Sequence, residues 1–202
     1  MNWRAFEREL AEAKRRFDTD LLRFPVDGPW DEVAYWDPVP AVRVFGGLGD
    51  GRWEDRSRLA VPGPVYAGET DTGLNGPYYL PAAVLSGEDG CEFVHRQPVN
   101  LREVAALAEV AACEPQGGYA SDGDHHWTPE SVRAWWRERG AVREWIAAEL
   151  ALGDAGQNEE AALRAYAEHL DGGGGLEAYL RGYVYWLAEG REPLLGRPLP
   201  VL

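Results

Sequence analysis

The densest group of residues able to do chemistry is the segment "YASDGDHHWTPE", residues 119–130. Asp122, Asp124, His125 and His126 fall within five positions, directly before the start signal of a helix. Alternating carboxylates beside imidazoles suit two chemistries: coordination of a divalent metal, or a base paired with the acid that orients it. Adjacent histidines point in divergent directions in most backbone conformations, and the ligand spacing of an EF-hand is absent. The same residue types also make Asx turns at a solvated helix start, which requires no ligand.

A second group is "VYAGETDTGLNG", residues 65–76. Glu69 and Asp71 stand two apart at the exit of an expected strand, so on extended backbone they share a face. They become an acid–base pair or metal ligands only if a third group, such as a histidine of the other loop, approaches them. The alternative is a turn with exposed carboxylates. Without Walker spacing and without Lys, the segment is not a phosphate loop.

Other chemistries find little support. No Gly-x-Ser-x-Gly surrounds Ser57, Ser86, Ser121 or Ser131, which disfavours a serine hydrolase. Cys91 and Cys113 are 22 positions apart and neither belongs to a Cys-x-x-Cys pair, so a zinc or iron–sulfur framework lacks its ligands. Both read as buried, reduced thiols. His95, at the end of an apolar strand, and His169, on a helix, read as structural imidazoles.

The elements that must position these residues follow from periodicity. Trp3, Phe6, Leu10, Ala13, Phe17, Leu21 and Phe24 recur at three- and four-residue spacing and predict an N-terminal amphipathic helix. From Pro25 to Gln97, short Val- and Tyr-rich runs alternate with Gly, Pro and Asp. They predict strands over 41–45, 58–61, 65–69 and 91–95, a hairpin connection at "GGLGDGRWEDR" and a turn at "GLNGPYY". Helices are expected from Asn100 to about Ala112, from Thr128 with Pro129 at the first helical position onward past Gly140 as a kink or break, over 158–170 and over 176–188. The fold class is α+β: a small, mostly antiparallel sheet at about residues 40–97, packed by the N-terminal helix and a C-terminal set of four to five helices. Residues 1–190 form one domain, and 191–202 an extended tail.

Length and charge bound the function. The chain has 202 residues, with 34 acidic against 20 basic and a formal charge of −14, which repels nucleic acid and anionic membrane as partners. The excess is carried by both halves, so it belongs to the folded surface. Lys14 is the only Lys and Ile146 the only Ile. That bias reflects GC-rich coding and is no evidence of function. No run approaches 18 consecutive apolar residues, and residues 3–24 alternate charged with apolar positions where a secretory signal would be uninterrupted. A cytoplasmic location is expected.

The stretches "WDPVPAVRVFG", "LAVPGPVYAGETDT" and "SDGDHHWTPESVRAWWRERG" resemble a group of uncharacterised actinobacterial proteins along most of the chain. Some members carry a ferredoxin-like label. Two separated cysteines cannot bind a cluster through four thiolates, so that label does not carry over; the resemblance implies an intracellular domain of bacterial origin and transfers no activity and no catalytic residue.

Three functional readings follow. The first is a protein-binding module, of the immunity or inhibitor type, for a basic partner, motivated by charge spread over the whole chain. The second is a metal-assisted hydrolase or lyase using Asp122, Asp124, His125 and His126, with Glu69 and Asp71 contributing. The third is a structural or regulatory domain of an assembly. No organic cofactor and no iron–sulfur cluster is expected, a divalent metal stays open, and the oligomeric state is undetermined.

Overall fold

The computed structural model describes residues 35–73, 75–87, 89–153, 156–172, 175–194 and 196–202. The helix expected over residues 3–24 lies outside the described residues. Among the described residues, seven α-helices and four short strands follow in order: α1 Val39–Val44, β1 Tyr66–Ala67, α2 Asn75–Tyr79, β2 Val84–Ser86, β3 Glu92–Val94, α3 Leu101–Cys113, β4 Tyr119–Ala120, α4 Pro129–Glu138, α5 Gly140–Leu152, α6 Gln157–Leu170 and α7 Leu176–Glu189. The class is α+β and mostly helical.

The strands form two antiparallel pairs. In β2–β3, Val84 faces Val94 and Leu85 faces Phe93. Side chains alternate across a strand, so this hairpin presents a different face to each side. Leu85 and Phe93 enter a core made by α4–α7, with Val132, Ile146, Tyr166, Leu180 and Tyr183. Val84 and Val94 enter a second core, against Val42 of α1 and Val104 and Leu107 of α3. The hairpin therefore divides the interior in two.

The other pair, β1–β4, has Tyr66 opposite Ala120 and Ala67 opposite Tyr119. The sheet structure thus extends beyond residue 97, because β4 is supplied by the segment before α4.

Several expected strands are different in the structure. Residues 41–45 fall in and after helix α1: Asp37 Oδ1 accepts the Val39 N–H at 2.9 Å, and proline in the first turn loses no intrahelical bond. Residues 58–61 form a turn and bend ahead of Pro62 and Pro64, with Leu59 N–H donating back to Ser57 Oγ. Val61 N–H makes one bond to Val94 O. The side chain of buried Gln97 replaces a strand partner just beyond, at Val65: its Oε1 accepts from Val65 N–H at 3.1 Å and its amide donates to Val65 O at 2.7 Å and to Val61 O at 3.4 Å. The expected hairpin at 46–56 holds one turn of 3₁₀ helix, Trp53–Asp55, and "GLNGPYY" includes helix α2.

The later helices agree closely with their start signals. Asn100 Oδ1 accepts Glu103 N–H at 2.9 Å, and Glu103 Oε2 accepts from Val99 N–H, one residue before the cap. Thr128 and Ser131 form a reciprocal capping box, and the stripe breaks between α4 and α5 at Gly140. The carbonyl oxygens of Leu199 and Pro200 accept from Arg181, and that of Val201 from Arg133, which pins the C-terminal segment to α4 and α7.

Candidate functional site

Strand β4 and a 3₁₀ turn at Gly123–His125 carry the polar loop, and they aim its four residues in different directions. Gly123 fixes the path, since its N–H donates to Pro64 O at 2.9 Å and a Cβ there would stand 2.3 Å from Gly63 O. Asp122 and His126 lie outward as a pair: His126 Nε2 is 3.3 Å from Asp122 Oδ2, and the Tyr66 hydroxyl donates to Asp122 Oδ1 at 2.8 Å. Burial acts to raise the Asp122 carboxyl, but the bonds from Tyr66 and His126 outweigh it and hold it below its ordinary value. The His126 ring stacks on Trp53 with centroids 4.7 Å apart. His125 is exposed.

Asp124 turns inward. Its Oδ1 accepts the Tyr183 hydroxyl at 2.8 Å and its Oδ2 accepts Trp186 Nε1–H at 3.1 Å. Burial raises this carboxyl, partly opposed by the two donors. The loop thus divides into a surface acid–imidazole pair, which has the parts to move a proton, and a carboxylate that ties α7 to the loop.

Glu69 and Asp71 do not join them. In the β1–β4 register Asp122 falls level with Pro64, five positions before Glu69. At about 3.4 Å per extended residue the two groups are roughly 17 Å apart. Glu69 is exposed, and Asp71 makes an Asx turn, its Oδ1 accepting Gly73 N–H at 3.0 Å. Among the described residues no group of three His, Cys, Asp or Glu side chains is arranged to hold a metal ion. Cys91 and Cys113 are free thiols, but Cys113 is exposed and Cys91 only partly buried, because α3 ends at Cys113 on its solvent side.

Two buried carboxylates hold this region together. Glu114 accepts N–H bonds from Asp71, Gln116 and Gly118, clamping the β1 exit to the turn before β4. Glu92 is fully buried on β3: Oε1 accepts Gly76 N–H at 2.7 Å, and Oε2 accepts the Tyr119 hydroxyl. Burial raises the Glu92 carboxyl above its ordinary value, with Tyr119 and Gly76 opposing the shift. In sequence, an acid flanked by Cys91 and Phe93 in an apolar strand is the only sign of this site.

The Glu92–Gly76 bond roots helix α2, and α2 carries the largest aromatic exposure among the described residues. Tyr78 is 76% exposed and Tyr79 66%, with their rings edge-to-face at 4.9 Å. Beside them lie two clefts. One, of about 430 Å³, runs from Pro77 and Tyr78 to Gly156 and Glu159. Its neighbour, of about 220 Å³, is lined by Trp145, Glu149, Leu152 and Leu163, and both clefts share Ser86 and Glu159. Exposed Leu152 extends the apolar surface. The described residues lining both clefts include Glu149 and Glu159 and no Arg or Lys.

No family model, curated protein or solved structure matches the chain, so geometry alone carries the functional reading. Among the described residues no helix is long and apolar enough to cross a membrane.

Proposed function

We propose that the chain is an acidic protein-binding module that docks a basic partner on the face formed by α2 and the clefts between α2, α5 and α6. The observation that carries this reading is the adjacency of two exposed tyrosines to a rim whose described charged residues are Glu149 and Glu159. Tyr is among the residues that dominate binding energy at interfaces, and it contributes large area for little lost side-chain freedom. Glu149 and Glu159 supply the sign of charge that attracts a cationic partner and repels an anionic one. Glu92 makes the surface preorganised, since it fastens the first turn of α2 to the hairpin between the two cores. An immunity- or inhibitor-type role in the cytoplasm suits such a face, with the two thiols unpaired.

The metal-assisted hydrolase or lyase reading has no comparable support, because Glu69 and Asp71 lie at the far end of the ladder from Asp122 and His126. The decisive experiment is capture of partners by the immobilised protein at low and high salt, with identification by mass spectrometry. The reading requires a basic protein that is lost at high salt and lost from Tyr78→Ser/Tyr79→Ser. Partners that are acidic, or that bind this double variant undiminished, refute it.

A further inference from the structure

On another side of the molecule a cavity of about 350 Å³ opens between the 53–59 turn and helices α4 and α5, lined by Arg56, Leu59, Trp127, Ser131, Trp135 and Glu138 among others. Its volume falls within the range of small-molecule sites, and its walls are mainly aromatic and aliphatic. The polar feature that stands out is Arg56. The guanidinium carbon lies 4.0 Å from the Trp53 ring centroid and 4.6 Å from that of Trp127. The two indoles stand edge-to-face, 89° apart, so the guanidinium sits in the corner between them, where cation–π attraction holds it and much of its water is removed. Its Nε is buried and has no hydrogen-bond partner. In a chain with 14 excess negative charges, a partly desolvated cation without a carboxylate at its Nε needs an explanation.

We propose that this cavity binds a small monocarboxylate with a flat apolar body, the carboxylate taken by the Nε and one Nη of Arg56 and the body packed between Trp127 and Trp135. The side-on edge of a guanidinium presents two parallel N–H groups that match the two oxygens of a carboxylate. Nε is buried in the free protein, so the proposed fork requires the guanidinium to turn its Nε edge toward the cavity when the ligand binds. Arg58 also borders the space, as does Ser131, whose hydroxyl is held by the Thr128 cap. Glu138 on the lining and the acidic surface as a whole disfavour a dianion such as a phosphate monoester. Burial lowers the Arg56 pKa, yet arginine starts so high that the group keeps its charge.

This site is independent of the Tyr78–Tyr79 face. The test is titration of the full chain with indole-3-acetate and with tryptophol, its neutral alcohol counterpart, followed by calorimetry and by the indole N–H signals of Trp127 and Trp135 in NMR spectra. Saturable binding of indole-3-acetate, at least tenfold tighter than tryptophol and with shifts at those two indoles, is the expected result. Arg56→Met should abolish the preference for the acid, Arg56→Lys should weaken it severalfold, and Tyr78→Ser/Tyr79→Ser should leave it unchanged. Where Arg56→Met proves unfolded by circular dichroism, the wild-type comparison of acid with alcohol decides. Equal affinity for both compounds, shifts elsewhere than the cavity, or no binding at millimolar concentration overturns the proposal and leaves Arg56 as a staple between Trp53 and Trp127.

Discussion

Gly76 donates its backbone N–H to Glu92 Oε1 at 2.7 Å, and through this bond a fully buried carboxylate of the hairpin holds the helix that displays Tyr78 and Tyr79. A Cβ on Gly76 would meet Val84 Cγ1 at 2.5 Å and Glu92 Oε2 at 2.6 Å, so close approach here requires glycine. Glu92→Ala strands the Gly76 N–H and the Tyr119 hydroxyl without an acceptor, and should cost about 2–5 kcal/mol in urea unfolding. Glu92→Gln keeps an acceptor for one of them and should cost clearly less. If the binding face depends on this anchor, partner capture should fall in Glu92→Ala at temperatures where the rest of the fold survives.

Asp37 gives a first pH dependence. Burial, with repulsion from Asp124 and Glu192 and partial relief from the Val39 N–H and Arg43, raises its carboxyl from 3.8 to about 6. A carboxyl raised on folding binds its proton more tightly in the native state, so its contribution is present at low pH and is lost as pH rises from about 4 through 6. The loss is at most about 3 kcal/mol. Asp37→Asn retains an acceptor for Val39 N–H and should be more stable than wild type at pH 7, with little difference at pH 4, in paired thermal melts.

His95 acts in the opposite direction. It is buried, its Nε2–H donates to Pro81 O at 3.0 Å, its Nδ1 has no partner, and burial lowers its pKa to about 4. The native state excludes the proton that the unfolded chain takes up below about 6.5. Stability from this group is therefore whole above that value and is lost as pH falls from about 6.5 toward 4, again by at most about 3 kcal/mol. His95→Gln should be the less acid-sensitive protein in urea titrations at pH 7 and pH 4.5. An unchanged pH slope would show that the imidazole is charged in the folded state.

Helices α3 and α4 were legible because each announces itself locally, with Asn100 and Thr128 as caps and Pro129 as a start, while α5 to α7 have no side-chain cap and show only as apolar stripes. Residues 41–45 and 58–61 were not legible, since alternating Val, Leu and Ala near Pro reads as strand while the deciding bonds come from Asp37 for the first and from Ser57 and Gln97 for the second. Gln97 lies 32 positions from Val65, and no local pattern marks a side chain that imitates a strand. Residue types mark the polar loop but not its division of labour. Neighbours along a loop share sequence and not direction, so only Tyr183 and Trp186, some sixty positions on, show that Asp124 is interior. The aromatic face was invisible for a similar reason, because "GPYY" reads as a turn and its exposure depends on what packs beneath it.

That division within residues 122–126 separates surface chemistry from structure and can be measured. Asp122 and His126 have side chains 50% and 32% exposed, and exposed ion pairs contribute at most about 1 kcal/mol. Asp122→Asn and His126→Ala should therefore each change stability by less than about 1 kcal/mol, with the Trp53 stacking partner lost only in the second. Asp124→Ala removes the shared acceptor of Tyr183 and Trp186, leaves two mostly buried donors unpaired and should cost about 2–4 kcal/mol. Urea unfolding of the three variants ranks them directly. If Asp124→Ala proved as harmless as Asp122→Asn, the carboxylate would not be tying α7 to the loop, and Asp124 would return to the surface group with His125 and His126.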